Sequence, residues 1–508
     1  MRRLVPALLV TAALAAAGCG GDDAGGEAVA EPSTTTSTTE APTTTEPTST
    51  TAAAPAPSPD DGLGGFVPQP LDWEECGSGT ECATLAVPLD WSAVDGATID
   101  LALRRSPATG PADQRIGLLL FNLGGPGAPT NDSVPGGGPF DPELNERYDV
   151  VGWDPRGVGE SAGLECGDAV DPFLRLDSNP DSPAEQAALD AGAAAIGAEC
   201  AAEDGDLLGH MGTDDVARDL EAIRIASGEV VSYYGFSYGT MIGLRYLDLF
   251  PASALRIVID GVLDPEFSQT DLLRGQTVGF ERTMEAVFAG CPDGQADCPA
   301  GGPAAAYDRI AAAVESEPLP GAGDVLGPSD LATAGILTTY DRSFWEPFYA
   351  GLVAADEQGD GSVLLELAEV YRDFGGFTAY QAVSCLDSVN PQGSEAWAAF
   401  SDELEAISPR FGGSIANEML ACAFWPAEPR PVTGPVDGAG SNPVLVIGTT
   451  GDAATPVEQA ERVAANLAEG HLLVLDGEGH TAYGDPCIND AVAAYLLDGV
   501  LPAEGARC

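Results

Sequence analysis

The pentapeptide Gly235-Phe236-Ser237-Tyr238-Gly239 joins an apolar run, Val230 to Tyr234, to a helical one, Met241 to Phe250, which Pro251 stops. A chain that passes from buried strand to helix over one residue has little steric freedom, and a G-x-S-x-G sequence in that setting reads as a nucleophile elbow. The serine sits in strained backbone at the tip, and a side chain two residues away on either side would strike the neighbouring strand or helix. In a chain with 63 glycines the bare motif carries little weight. The order strand, turn, helix supplies that weight, and Ser237 is the expected nucleophile.

An elbow serine needs a base, and the chain offers His210, His471 and His480. His471 starts the apolar run Leu472 to Asp476 and reads as a strand-edge residue. His210 lies in a loop before a helix that begins near Asp214. His480 ends the glycine-rich stretch Gly477-Glu478-Gly479-His480, which follows the last strand and can carry an imidazole over the carboxyl edge of a sheet.

In α/β-hydrolases the acid lies between serine and histidine along the chain. Val444 to Gly448 reads as a short buried strand, and Asp452 follows it, with Thr455-Pro456-Val457-Glu458 reading as a capping box with proline at the first helical position. Asp452 is the expected acid; its rival, Asp260 at the end of the run Arg256 to Ile259, reads as support for the turn that follows it. Donors for a developing oxyanion must be preorganised. One is the Tyr238 amide, and the other comes from Leu123-Gly124-Gly125-Pro126-Gly127, where Gly125 is favoured because Pro126 has no N–H.

These segments, with Asp154-Pro155-Arg156-Gly157-Val158-Gly159-Glu160-Ser161, Gly448 to Pro456 and Gly479-His480, resemble the prolyl and tripeptidyl aminopeptidase group of α/β-hydrolases. The match is to the secreted actinobacterial tripeptidyl-aminopeptidase-like proteins and runs from about Asp72 to Cys508. The resemblance implies an α/β-hydrolase fold, with a mostly parallel sheet, helices on both faces and a TAP-like C-terminal region. It also implies a structural, ion-paired role for Asp154 and Arg156. The chain departs from the group in having Leu123 where prolyl iminopeptidases usually carry His, and Ala453 where Pro is frequent.

Arg2 and Arg3 precede an apolar stretch, Leu4 to Ala17, that is too short to span a bilayer and has the form of a secretory signal. Leu14 to Cys19 resembles a bacterial lipobox, which would make Cys19 a lipidated N-terminus. From residue 20 to about 70 the composition shifts to Thr, Ser, Pro, Glu and Ala without apolar periodicity, and such a segment cannot bury enough surface to offset its ordering entropy. It reads as a disordered tether, and the location as the outer face of the cell envelope, with membrane contact through the anchor alone.

Apart from Cys19, ten of the 11 cysteines remain, an even set suited to disulfides in an oxidising compartment. Pairing of sequence neighbours is one connectivity open to them: Cys76 with Cys82, Cys166 with Cys200, Cys291 with Cys298, Cys385 with Cys422, and Cys487 with Cys508. Zinc is the alternative, but no C-x-x-C pair occurs and histidine is scarce, so no metal is expected. With 79 acidic against 21 basic residues, and no lysine, the chain is unsuited to nucleic acid, Schiff-base chemistry or a P-loop. No cofactor is expected.

About 440 residues follow the tether, more than one core usually holds. The hydrolase core is expected over 71–261 and 442–508, because those spans hold the strands and motifs. Between them, 262–441 is rich in helical stretches such as Leu272 to Phe288, Ala304 to Val314 and Ser362 to Asp373, and reads as an inserted helical cap. The expected function is a secreted serine peptidase releasing tripeptide-sized units from free N-termini; the alternatives are a carboxylesterase or lipase acting on envelope or xenobiotic esters, and a tethered binding protein without catalysis. A free substrate amine calls for a carboxylate, and the cap offers Glu281, Glu285, Asp341, Glu346 and Asp387.

Overall fold

The computed structural model describes residues 62–508 apart from 293, 295–297 and 375. The expected signal, Cys19 and most of the tether lie outside the described residues. The strands are β1 (Glu74–Gly77), β2 (Thr80–Pro88), β3 (Thr98–Ser106), β4 (Gly117–Asn122), β5 (Tyr148–Trp153), β6 (Val231–Phe236) and β7 (Ile257–Asp260). They are followed by a small hairpin, β8 (Leu319–Gly321) and β9 (Asp324–Leu326), and then by β10 (Val444–Gly451) and β11 (Gly470–Glu478).

Nine of them form one sheet in the order β1-β2-β3-β5-β4-β6-β7-β10-β11, antiparallel at the β1-β2-β3-β5 side and parallel from β5 to β11. Every residue of β4, β5, β6 and β7 is buried, which is why these strands read as unbroken apolar runs rather than alternating ones. The helices Thr213–Ser227, Tyr238–Leu249 and Val457–Asn466 cover one face, and Pro486–Asp498 lies on the other. The strand order reverses at β4, whose neighbours are β5 on one side and β6 on the other. That switch point opens a crevice at the carboxyl ends of β4 and β6, the position where open α/β sheets bind ligands.

From β7 to β10 the chain is mainly helical and builds a second core, in which Phe280, Leu337, Phe348, Leu364, Trp397 and Phe411 are buried. This core recruits more chain than the sequence suggested. Phe173, Leu189, Ile196 and Cys200, from the Val170–Leu174 and Pro183–Leu208 helices, pack into it although they lie within 71–261. Most apolar residues of these two helices pack against the cap helices, while Leu207, near the end of the second, joins the sheet-side core.

The tether boundary also moves. Leu63 is fully buried in the sheet-side core, and Phe66 packs edge-on against Trp91 at 5.5 Å. The folded unit therefore reaches back past residue 70, to Leu63 at least. Five disulfides close between sequence neighbours: Cys76–Cys82, Cys166–Cys200, Cys291–Cys298, Cys385–Cys422 and Cys487–Cys508. Among the described residues, no helix is long and apolar enough to cross a membrane.

Candidate active site

Ser237 stands at φ 52°, ψ −122°, between the end of β6 and the first turn of Tyr238–Leu249. Its amide donates to the Asp260 carbonyl of β7 at 2.9 Å, which anchors the strained residue to the adjacent strand. The flanking glycines are steric necessities. A Cβ on Gly235 would lie 2.2 Å from the Gly239 carbonyl, and one on Gly239 2.6 Å from the Asn122 carbonyl.

His480 hangs from the loop after β11, and its amide donates to the Tyr340 carbonyl of the cap at 2.8 Å. Nδ1 meets Asp452 Oδ2 at 2.9 Å and Oδ1 at 3.0 Å, which leaves Nε2 as the ring nitrogen free for proton transfer. Burial lowers the imidazole's basicity, but the charge and hydrogen bond of Asp452, with the charge of Asp260, raise it above its ordinary value. Asp452 is fully buried and also accepts from the Thr455 amide and hydroxyl, both at 2.8 Å, and from the Thr481 amide at 3.2 Å.

Thr455 corrects the capping-box reading. The helix runs Val457–Asn466 with Pro456 as its N-cap and no side-chain cap bond, because the Thr455 hydroxyl turns back to Asp452 and lies 3.3 Å from His480 Nδ1. A threonine three residues after an acid is a sequence signal equally consistent with capping. Only the loop path decides between the two.

Asp260 does not touch the imidazole. Its carboxylate accepts from the amides of Ala482 (2.9 Å) and Tyr483 (2.9 Å) and from the Tyr234 hydroxyl (3.0 Å), so it holds the loop that carries His480. Burial raises its pKa to about 6 against the pull of those donors.

In the loop after β4, the Gly124 amide is occupied by Asn122 Oδ1 at 2.9 Å and that of Ala128 by the Gly124 carbonyl; the amides of Gly125 and Gly127 have no protein acceptor among the described residues, and of these two only Gly125 lines the cavity. Tyr238 is the first residue of its helix, so its N–H has no carbonyl behind it. Gly124 allows the two segments to meet. A Cβ there would fall 2.9 Å from both Ser237 Cβ and the Tyr238 nitrogen.

Ser237, His480, Gly125 and Tyr238 line one cavity of about 580 Å³ at the sheet's switch point, roofed by the cap. The cap presses directly on the glycine loop, since a Cβ on Gly127 would lie 2.5 Å from the Gly376 carbonyl. Among the described residues, four carboxylates line this cavity and no arginine does: Asp264, which pairs with Arg462 outside it at 2.7 Å, and Asp373, Asp387 and Glu418.

Of the five cap acids named from sequence, only Asp387 faces the cavity. Glu281 and Glu285 pair with Arg410, Asp341 caps the turn at Ser343, and Glu346 is exposed. Asp387 accepts from the Thr213 amide at 3.1 Å and from its hydroxyl, which also meets the Tyr238 hydroxyl at 2.7 Å. Burial, with the neighbouring charges of Asp214 and Asp215, pushes the Asp387 pKa up to about 7 although Arg245 and Arg430 lie within electrostatic reach, and burial takes that of Glu418 likewise to about 7. Glu418 went unnoticed in the sequence, where nothing marks one acid among 79.

Residues 117–295 match the model described as alpha/beta hydrolase fold, and 408–508 match the one described as TAP-like protein. A relative named serine protease Hip1, from Mycobacterium tuberculosis, is 34% identical over 87% of this chain and 91% of its own. The chain belongs to the TAP-like α/β-hydrolases. A tripeptidyl aminopeptidase of Streptomyces lividans is 32% identical over 86% of each chain, and a carboxylesterase B of M. tuberculosis is 34% identical over 84% of this chain and 86% of its own.

The other conspicuous polar residues of this hydrolase serve the scaffold. Arg156 is fully buried, with two bonds to Asp219 at 2.6 and 2.7 Å and three to the carbonyls of Pro88, Leu89 and His210. Asp154 accepts the amides of Thr130, Asn131 and Glu160. His471 pairs with Leu445 in the sheet, and neither it nor His210 lines the cavity.

Proposed function

We propose that this hydrolase is an exported serine aminopeptidase that releases short peptides from free N-termini through an acyl-enzyme. Ser237 Oγ attacks the carbonyl carbon while His480 Nε2 takes its proton, and the Gly125 and Tyr238 amides bind the oxyanion. The tetrahedral intermediate expels the amine, which leaves with the proton from His480. Water then repeats the sequence and frees the acyl group. Asp452 holds the imidazole by Nδ1 and stabilises its charged form.

The observation that carries this reading is the convergence on one cavity of a strained serine, an imidazole fixed to a buried carboxylate, and two amides without protein acceptors. Asp387 supports the amine requirement, because Arg245 and Arg430 near it are ion-paired to Asp214 and Asp215 and lie outside the cavity lining, so a substrate ammonium in the cavity stabilises its charged form. The hydrolases named Hip1 and tripeptidyl aminopeptidase add the peptidase chemistry by similarity. Export and lipidation at Cys19 rest on the sequence from Arg2 to Cys19.

A carboxylesterase is the second reading, favoured by the equally similar carboxylesterase B relative. The experiment is a ranking of kcat/KM on free tripeptide chromogens, their N-acetylated forms and short acyl esters. Free peptides fastest is the expected result. Esters fastest, or equal rates on free and acetylated peptides, overturns the aminopeptidase reading.

A further inference from the structure

Glu418 has surroundings that neither the catalytic groups nor Asp387 account for. Its carboxylate accepts from the Tyr371 hydroxyl at 3.2 Å and interacts with that of Tyr380, and no arginine or histidine reaches it among the described residues. The rings form a continuous wall: Tyr340 to Tyr371 at 6.0 Å, Tyr371 to Phe377 at 5.7 Å, and Phe377 to Tyr380 at 6.2 Å between centroids. The Glu418 carbonyl accepts from Gln381 at 3.0 Å, which fixes this backbone to the helix Phe377–Asp387. A preorganised carboxylate with aromatic faces beside it is the chemistry that holds an ammonium or guanidinium.

It is also a different place from the Asp387 end of the cavity. Tyr380 and Asp387 stand seven residues apart on that one helix, which is about 10 Å along its axis and brings both to the same face. Asp387 is held at the Thr213 and Tyr238 end, beside the elbow. Glu418 belongs to the Tyr380 end, which reaches His480 through Tyr371 and Tyr340; the Tyr340 and His480 rings lie 5.2 Å apart. A single ammonium cannot bridge such ends, whereas an extended peptide covers about 10 Å in three residues.

We propose that Glu418 and its tyrosines form a second cation subsite, so that the preferred substrate is a peptide with a basic side chain in addition to its free α-ammonium. The proposal rests on the aminopeptidase reading, with Asp387 as the partner of the α-ammonium. The arrangement makes the site a charge ruler along one helix face. A monocationic peptide leaves one carboxyl without a partner, and a dicationic one satisfies both.

The test is a panel of free tripeptide chromogens with lysine placed in turn at each position against norleucine, which keeps the four-carbon stem and lacks the ammonium. The expected result is one position at which lysine raises kcat/KM by about tenfold or more, the factor expected of one charge-assisted contact. In Glu418→Gln that ratio falls towards one, while the preference for free over acetylated peptides persists. Melting temperature serves as the fold check.

Three results overturn the proposal: no position with a lysine advantage, an advantage that survives in the variant, or loss of the free-over-acetylated preference, which would make Glu418 the α-amine site instead. If esters are hydrolysed and no peptide is, the aminopeptidase reading fails by itself. Glu418 is then judged by inhibition of ester hydrolysis, where pentane-1,5-diamine should inhibit more strongly than pentylamine in the wild type and lose that margin in Glu418→Gln. Equal inhibition by the two amines in the wild type refutes the subsite.

Discussion

The carboxylates of the sheet and those of the cap live under opposite conditions. Asp452 is fully buried and receives His480, the Thr455 amide and hydroxyl, and the Thr481 amide, so its charge is met on every side. Asp387 and Glu418 are held by hydroxyl and amide donors and face a cavity that no arginine lines among the described residues. On the proposed reading, the core supplies the catalytic groups and the cap wall supplies charges that a ligand completes.

The largest expected effect lies on the sheet. Ser237→Ala and His480→Ala should each lower kcat by about 10⁴-fold or more, with the double variant little worse because the groups act as one unit. Circular dichroism and melting should stay near wild type. A double variant far below either single one would break the picture of one coupled device.

Next comes the choice between two buried acids. Asp452→Asn should lower kcat by roughly 10³- to 10⁴-fold through the wrong imidazole tautomer. Asp260→Asn should reduce it much less, since that side chain holds the loop amides of Ala482 and Tyr483 rather than the ring. The reverse order, measured on one substrate, would transfer the acid role to Asp260.

The cap should answer more gently. Acetylating a good tripeptide should cut kcat/KM by about 10²-fold, because the blocked end loses a charge-assisted contact. Asp387→Asn should bring the free and acetylated rates together. Asp387→Asn with an unchanged ratio would remove that carboxylate from amine recognition.

A smaller effect separates the two regions by pH. Since Asp452 and Asp260 keep the His480 imidazole above its ordinary value of 6.5, the acid limb of kcat/KM for an uncharged acyl ester should lie above pH 6.5, where the ring loses its proton. An ester makes no ammonium contact with the cavity carboxyls, and repeating the profile in Asp387→Asn and Glu418→Gln separates their titration from that of the ring. A limb below pH 6 would contradict the electrostatic account.

The smallest effect concerns stability. The Glu418 carboxyl is raised from 4.5 to about 7 in the fold, so the folded state holds its proton longer than the unfolded chain. The wild type should therefore lose stability as pH rises from about 4.5 through 7. Glu418→Gln lacks that loss and should gain melting temperature relative to wild type at pH 8 over pH 5. An equal difference at both pH values would mean that the carboxyl is not desolvated.

The sequence by itself determined the elbow, the succession of strand, turn and helix around it and the loops that carry Ser237, Asp452 and His480, because each depends on local constraints. Only glycine fits at 235 and 239, only a short apolar run makes a doubly covered strand, and only a glycine-rich loop swings the histidine over the edge. The tertiary structure alone decided that Thr455 turns to Asp452 rather than capping its helix, and that the 170–208 helices join the cap. It also decided that Asp387 and Glu418, rather than Glu281 or Asp341, face the cavity. An acid's meaning depends on what surrounds it. In a chain with 79 of them, the long-range packing of one helix face supplies the surroundings that tell a solvated charge from a binding one.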